Sequence, residues 1–248
     1  MTANFLNLPQ YNVVIAGGGG IGSALLQALQ QRPGLHKAVL LERSPGPSPD
    51  PDKVLRLALD AQDPASIAAA AERAGAFLGR VHLLINTVGL LHGPGLQPEK
   101  RLKALTQENL MQSFAINAAF PPLLAQAFSA LLRHEEPAML ASLSARVGSI
   151  EDNQSGGWYS YRASKAAQNM LLKTLAREWR LSHPRVTVVA LHPGTVDSRL
   201  SKPFVTSSYR KRVLSTDECA AALLEVMASL AVTDTGSFRD WQGETIPW

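Results

Sequence analysis

The alternation of short apolar runs with longer amphipathic ones predicts an α/β fold, a doubly wound parallel sheet with helices on both faces. Three observations carry that expectation. Residues 11–16 form an apolar, partly β-branched run that passes directly into Gly17-Gly18-Gly19-Gly20-Ile21-Gly22 and then into a helix-like stretch, the order strand, tight turn, helix. The same strand and helix succession continues along the chain with no internal repeat. At 248 residues with 46% hydrophobic content, the chain can bury one large core, so a single domain over 1–248 is expected.

Strands are expected at 11–16, 38–41, 54–59, 81–86, 138–142 and 186–191, because each is short, apolar and often β-branched. Helices are expected at 23–31, 64–78, 107–133, 159–181 and 216–230, where apolar residues recur at helical spacing. Pro64 opens the second of these, a position where its missing N–H costs nothing. The run Pro45-Gly46-Pro47-Ser48-Pro49-Asp50-Pro51 has a linker's composition, but a division there would strand a lone βαβ unit. It reads as a surface loop beside the glycine turn.

Composition excludes several functions. The single cysteine, Cys219, rules out an internal disulfide framework, fits a reducing compartment and reads as a small apolar helix residue. The net charge of +4 is spread along the chain, and its one dense run, Tyr209-Arg210-Lys211-Arg212, reads as a solvated face. No nucleic-acid module accompanies it, so no nucleic-acid partner is expected. The six histidines show no metal-ligand spacing, and no metal is expected. The N-terminal stretch has no basic n-region and too short an apolar run for a signal or a membrane span, so a cytoplasmic protein with no membrane partner is expected.

The chemistry concentrates in Tyr161 and Lys165. Four positions apart on a helix, phenol and ammonium lie on one face within reach of each other. A phenol with an ordinary pKa of about 10 is a poor acid-base group at neutral pH, and a neighbouring cation can bring it down. Tyr159 has no lysine at that spacing, so packing or pocket lining is its expected role. In the glycine turn, Gly17, Gly19 and Gly22 satisfy G-x-G-x-x-G, which lets the backbone approach a pyrophosphate and aim helix N-terminal amides at it.

Asp60 after the third strand, Asn86-Thr87-Val88-Gly89 after the fourth, Asn117 in the long helix, Ser144 after the fifth and Pro193-Gly194 after the sixth complete an ordered set. In that order, with the glycine turn and the Tyr161/Lys165 pair, the chain resembles the short-chain dehydrogenase/reductases from end to end. The run 156–167 and the ending Gly243-Glu244-Thr245-Ile246-Pro247-Trp248 resemble the C-factor-like branch. The resemblance implies a single-domain Rossmann fold and an NAD(P)-dependent interconversion of a small-molecule carbonyl and an alcohol. It makes Tyr161 the general acid-base and Lys165 the residue that lowers its pKa and holds the nicotinamide ribose. Ser144 would hydrogen-bond the substrate oxygen, in preference to Ser142 and Ser149, and Asn117 would sit at a disturbed helix ladder and connect Lys165 to solvent. Gly17, Gly19, Gly20, Ile21, Gly22, Asp60, Asn86, Gly89, Pro193, Gly194 and Thr195 would line the cofactor with Tyr161 and Lys165.

Cofactor choice is set by two neighbours with opposed charges. Glu42 ends the second strand where an acid can bond a ribose, and Arg43 follows it where a guanidinium can grip a phosphate. Aligned by the apolar strand, Arg43 takes the selecting position and Glu42 turns to the opposite side, so NADP is the expected cofactor and NAD the alternative. The chain departs from the family at the glycine turn, where either Ile15-Ala16 stand in place of the usual Thr-Gly or the turn is one residue shorter and begins at Gly17, in a long Ser144-to-Tyr161 segment that must loop out over 149–157, and in an ending without a glycine-rich closing segment. A substrate lid is expected at about 198–214, and a homodimer or homotetramer through the helices carrying Asn117 and Tyr161. The alternative reading is a nucleotide-sensing or signalling protein on the same fold.

Overall fold

The computed structural model describes residues 8–206, 209–210 and 212–248. Along the chain run β1 (Tyr11–Ala16), α1 (Gly20–Gln30), β2 (Leu35–Glu42), β3 (Val54–Ala58), α2 (Pro64–Leu78) and β4 (Leu83–Asn86). There follow α3 (Gln107–Ser113), a π-helical turn (Phe114–Ala119), α4 (Phe120–Leu132), β5 (Ala138–Leu143), α5 (Tyr159–Ser182) and β6 (Val186–His192). The short strands β7 (Thr195–Val196) and β8 (Val213–Leu214), then α6 (Thr216–Ser229) and β9 (Ser237–Asp240), complete the fold. Seven strands form one sheet in the order β3-β2-β1-β4-β5-β6-β9, and every pairing in it is parallel.

The strands are buried on both faces, and their side chains alternate between two cores. Val13 and Ile15 join Leu25 and Leu29 of α1 and Leu223, Leu224 and Met227 of α6 on one side. Val14 and Ala16 face the other, with Ile67 of α2, Phe120 and Phe128 of α4, and Leu172 and Trp179 of α5. This is a single-domain Rossmann fold, with the doubly wound parallel sheet that the strand and helix alternation predicts. The strand order reverses between β1 and β4, so a crevice forms at their carboxyl ends, where sheets of this kind bind ligands.

Several elements differ from the sequence expectation, among them the two-residue strands β7 and β8, which lie where no strand was expected. The helix expected over 107–133 is broken by the π turn into α3 and α4, although its apolar periodicity runs on unbroken. Its length and apolar content would also suit a membrane span, yet Phe120, Leu124, Phe128 and Leu132 are buried in the core. Helix α1 starts inside the glycine run at Gly20, three residues earlier than its apolar pattern suggests. Strand β9 was not foreseen: of its four residues only Phe238 and Asp240 are buried, too short an alternation to stand out.

Candidate active site

The glycine turn is built by contacts that exclude side chains. Gly17 has φ +109°, donates its N–H to Leu41 O at 2.8 Å, and a Cβ on it would lie 2.4 Å from Thr87 Oγ1. A Cβ on Gly22 would lie 1.8 Å from Gly17 O, so the first turn of α1 packs directly on the loop. Above Gly19 there is open space, with nothing within 4 Å of where a Cβ would be. Gly19 caps α1 without a side-chain hydrogen bond, and the first turn holds no acid. The leading amides of α1, from Gly20, Ile21 and Gly22, are therefore available to an anion. This cradle fits a dinucleotide pyrophosphate.

Neighbouring strands brace the turn. Thr87, at the end of β4, donates its hydroxyl to Ala16 O and Gly17 O at 3.1 and 3.0 Å. Asn86 donates to Ser142 Oγ at 2.9 Å and accepts the Val88 N–H at 3.0 Å, which ties β4 to β5. Asp60 accepts the Gln62 N–H at 2.9 Å and is exposed, ordering the loop that leads to α2. Pro193 O accepts the Cys219 thiol at 3.5 Å, and burial pushes that thiol up to about 12, leaving it unreactive. Gly194 adopts φ +76° against the Trp241 ring, and Thr195 bonds the Tyr209 hydroxyl. Residues 207, 208 and 211, part of the expected lid and basic run, lie outside the described residues.

Two of the catalytic candidates, Asn117 and Lys165, converge over Gly89. A Cβ there would lie 3.7 Å from both Asn117 Oδ1 and Lys165 Nζ. Asn117, fully buried, sits in the π turn, donates to Leu90 O at 2.8 Å and to Ser164 Oγ at 3.0 Å, and accepts the Leu90 N–H at 2.7 Å. The extra residue in the π turn redirects this side chain toward α5, so a disturbed ladder at Asn117 is present as expected. Tyr161 and Lys165 are both buried on α5, with Nζ 5.9 Å from the phenol ring centroid. Lys165 donates to Leu143 O at 3.0 Å and to Gln168 Oε1 at 2.8 Å. Burial is the cause of both titration shifts: it raises the Tyr161 phenol above its usual range and lowers the Lys165 ammonium to about 7. Here the ammonium is held by Leu143 O and Gln168, away from the phenol.

Ser144 lies at the end of β5 and is buried, and its hydroxyl donates to Asn169 Oδ1 at 2.6 Å. Glu42 departs from the expected orientation. Its carboxylate lies over the glycine turn, where a Cβ on Gly18 would meet Glu42 Oε2 at 2.3 Å, while Arg43 after it is exposed. The reason is strand pairing: Arg56 of β3 bonds both Glu42 oxygens, at 2.6 and 3.1 Å, on the same face.

Several site residues have no signature in the sequence. Helix α5 lacks a side-chain N-cap of its own, and Glu99, buried and 61 positions away, accepts both the N–H and the hydroxyl of Ser160. Trp158 precedes the helix at φ +53°, with its ring 6.1 Å from Tyr161 and 5.0 Å from Phe204. It helps line a cleft of about 570 Å³ with Pro98, Glu99, Asn109, Pro203 and Phe204. Gly148 allows close approach to α5, since a Cβ there would lie 2.8 Å from that of Lys165. At the opposite end of the sheet His82, His134 and Glu136 converge within 4.8 Å. His82 Nδ1 accepts the Asn12 N–H, so its Nε2 carries the proton given to Glu136, and the neutral ring has no lone pair left for a cation.

Comparison with known proteins adds to this geometry. The chain matches the short chain dehydrogenase family over residues 11–208. It is 32% identical over 170 residues to the C-signal of Myxococcus xanthus, covering 68% of this chain and 94% of that one. It is 32% identical over 160 residues to 1-hydroxy-2-glutathionyl-2-methyl-3-butene dehydrogenase of Rhodococcus sp. (strain AD45), covering 64% and 67%. The structure resembles an NADPH-bound carbonyl reductase from chicken fatty liver, with a TM-score of 0.84 and 28% identity over 97% of this chain and all of that one.

Proposed function

Because the chain belongs to the short chain dehydrogenase family, we propose that it is an NADP-dependent oxidoreductase that interconverts a carbonyl and an alcohol, with Tyr161 as general acid-base. The observation that carries this reading is the convergence of Asn117 and Lys165 over Gly89, one helical turn along α5 from Tyr161. The glycine turn, the leading amides of α1, Asn86, Gly89, and Pro193 to Thr195 would hold the dinucleotide, and a bound nicotinamide would supply or accept the hydride. The NADPH carried by the structurally similar carbonyl reductase supports NADP as the cofactor.

The protein's own groups then handle the proton. In the reducing direction Tyr161, kept protonated by burial, donates its phenolic proton to the oxygen of the substrate. Lys165 stabilises the phenolate left behind, moving charge toward it from Leu143 O and Gln168. The buried chain from Asn117 through Ser164 to the Tyr161 carbonyl fixes α5 against the loop after β4, so that the phenol does not move when it loses its proton. Ser144 polarises the substrate oxygen once its hydroxyl turns from Asn169. Trp158 and Phe204 give the substrate an apolar wall that excludes water.

Purified protein incubated with reduced nicotinamides and a panel of aldehydes, ketones and quinones tests the reading. Turnover that disappears in Tyr161→Phe while NADPH still binds is the expected result. Retained turnover in that variant contradicts the assignment of Tyr161. Dinucleotide binding with no turnover across the panel favours the sensing alternative.

A further inference from the structure

Glu42 presents a puzzle for any site that takes a 2′-phosphate. Its carboxylate stands against Gly18 of the glycine turn, and its side chain is only 12% exposed. An acid so placed would repel a phosphorylated ribose and favour an unphosphorylated one. The structure neutralises it. β2 and β3 pair in parallel with Leu40 opposite Arg56 and Glu42 opposite Ala58, so Arg56 and Glu42 fall two places apart on one face. From there Arg56 reaches along the sheet edge, its Nε to Oε1 at 2.6 Å and its Nη2 to Oε2 at 3.1 Å. This two-pronged contact occupies both carboxylate oxygens, the atoms that would otherwise accept ribose hydroxyls.

We infer that Arg56 is a cofactor-selecting residue: by masking Glu42 it lets the site accept a 2′-phosphate that the bare carboxylate would reject. The inference rests on the reading of the glycine turn as a dinucleotide site. It assigns selection to a guanidinium from the adjacent strand, acting through Glu42, in addition to Arg43, which the order of residues along β2 suggests.

Titration calorimetry of NADPH and NADH against wild type, Arg56→Ala and the double variant Arg56→Ala/Glu42→Gln tests it without recourse to turnover. Unmasking one carboxylate beside the phosphate is expected to raise the NADPH Kd roughly tenfold or more, while the NADH Kd changes by less than about threefold. Removing the exposed charge in the double variant restores NADPH binding to within about threefold of wild type. Equal weakening of both dinucleotides by Arg56→Ala, or failure of the double variant to recover NADPH, overturns the inference and leaves Arg56 a strut of the sheet edge. Wild type that binds neither dinucleotide overturns the reading beneath it and the inference with it.

Discussion

Tyr161 and Lys165 lie one turn apart on α5, and burial governs how each holds its proton. The spacing argues for a phenol lowered by its neighbour, whereas the folded chain buries both groups and shifts each toward its neutral form. Gln168 and Leu143 O hold the ammonium, and nothing in the local sequence distinguishes Gln168 from any other helix residue. A pH prediction follows for Lys165. Its folded pKa of about 7 lies below the ordinary 10.5, so between those values the unfolded chain binds the extra proton and stability rises with pH. The burial cost is carried in full below pH 7 and is relieved as pH approaches 10.5. Thermal melts of wild type and Lys165→Met between pH 6 and 10 should show wild type gaining on the variant as pH rises; parallel curves would place the titration elsewhere. Ser144 tests a second expectation. Because its hydroxyl already donates to Asn169, Ser144→Ala should lower kcat by roughly tenfold, less than Tyr161→Phe does. A loss matching that of Tyr161→Phe would show that Ser144 faces the substrate throughout.

The elements that carry the site differ in how far local sequence specifies them. Strand, turn and α1 were clear because glycine is required where a Cβ would strike Gly17 O or Thr87 Oγ1. Gly22→Ala is therefore expected to abolish dinucleotide binding measured by titration and to lower the melting temperature by several degrees. Unchanged binding would mean that α1 can draw back from the loop. The break at Asn117 was accessible only through the family resemblance, since a π turn adds a residue without interrupting apolar periodicity. The anchoring of α5 was not accessible at all, because its cap comes from Glu99 in a distant loop. Glu99→Gln keeps the shape but weakens a charge-assisted cap, and a several-fold fall in kcat with little change in NADPH affinity is expected. A fall in affinity alone would assign Glu99 to the cofactor side.

At the scale of the whole molecule, a doubly wound parallel sheet was implied by the alternation of elements and right-handed crossovers, whereas the order β3-β2-β1-β4-β5-β6-β9, with its edge strand β9, is set by tertiary pairing. Sheet pairing also sets the orientation of Glu42, through Arg56 on β3, fourteen residues along the chain, which the order of residues on β2 does not show. Assembly remains a prediction from the surface. Met170 and Leu171 of α5 and Met111, Phe114 and Leu123 of the preceding helices are exposed, and a homodimer or homotetramer through these helices is expected. Sedimentation at micromolar concentration that gives only 26.7 kDa would reject it. The central claim is that one folded chain moves hydride to carbon while Tyr161 moves the proton. It is tested most directly with NADPH deuterated at nicotinamide C4 and a carbonyl that the panel shows to be reduced. Deuterium from one face of the ring should appear at the carbinol carbon of the product, and none should appear with Tyr161→Phe. Product free of deuterium from either face, or labelled equally well by the Tyr161→Phe protein, would contradict the account.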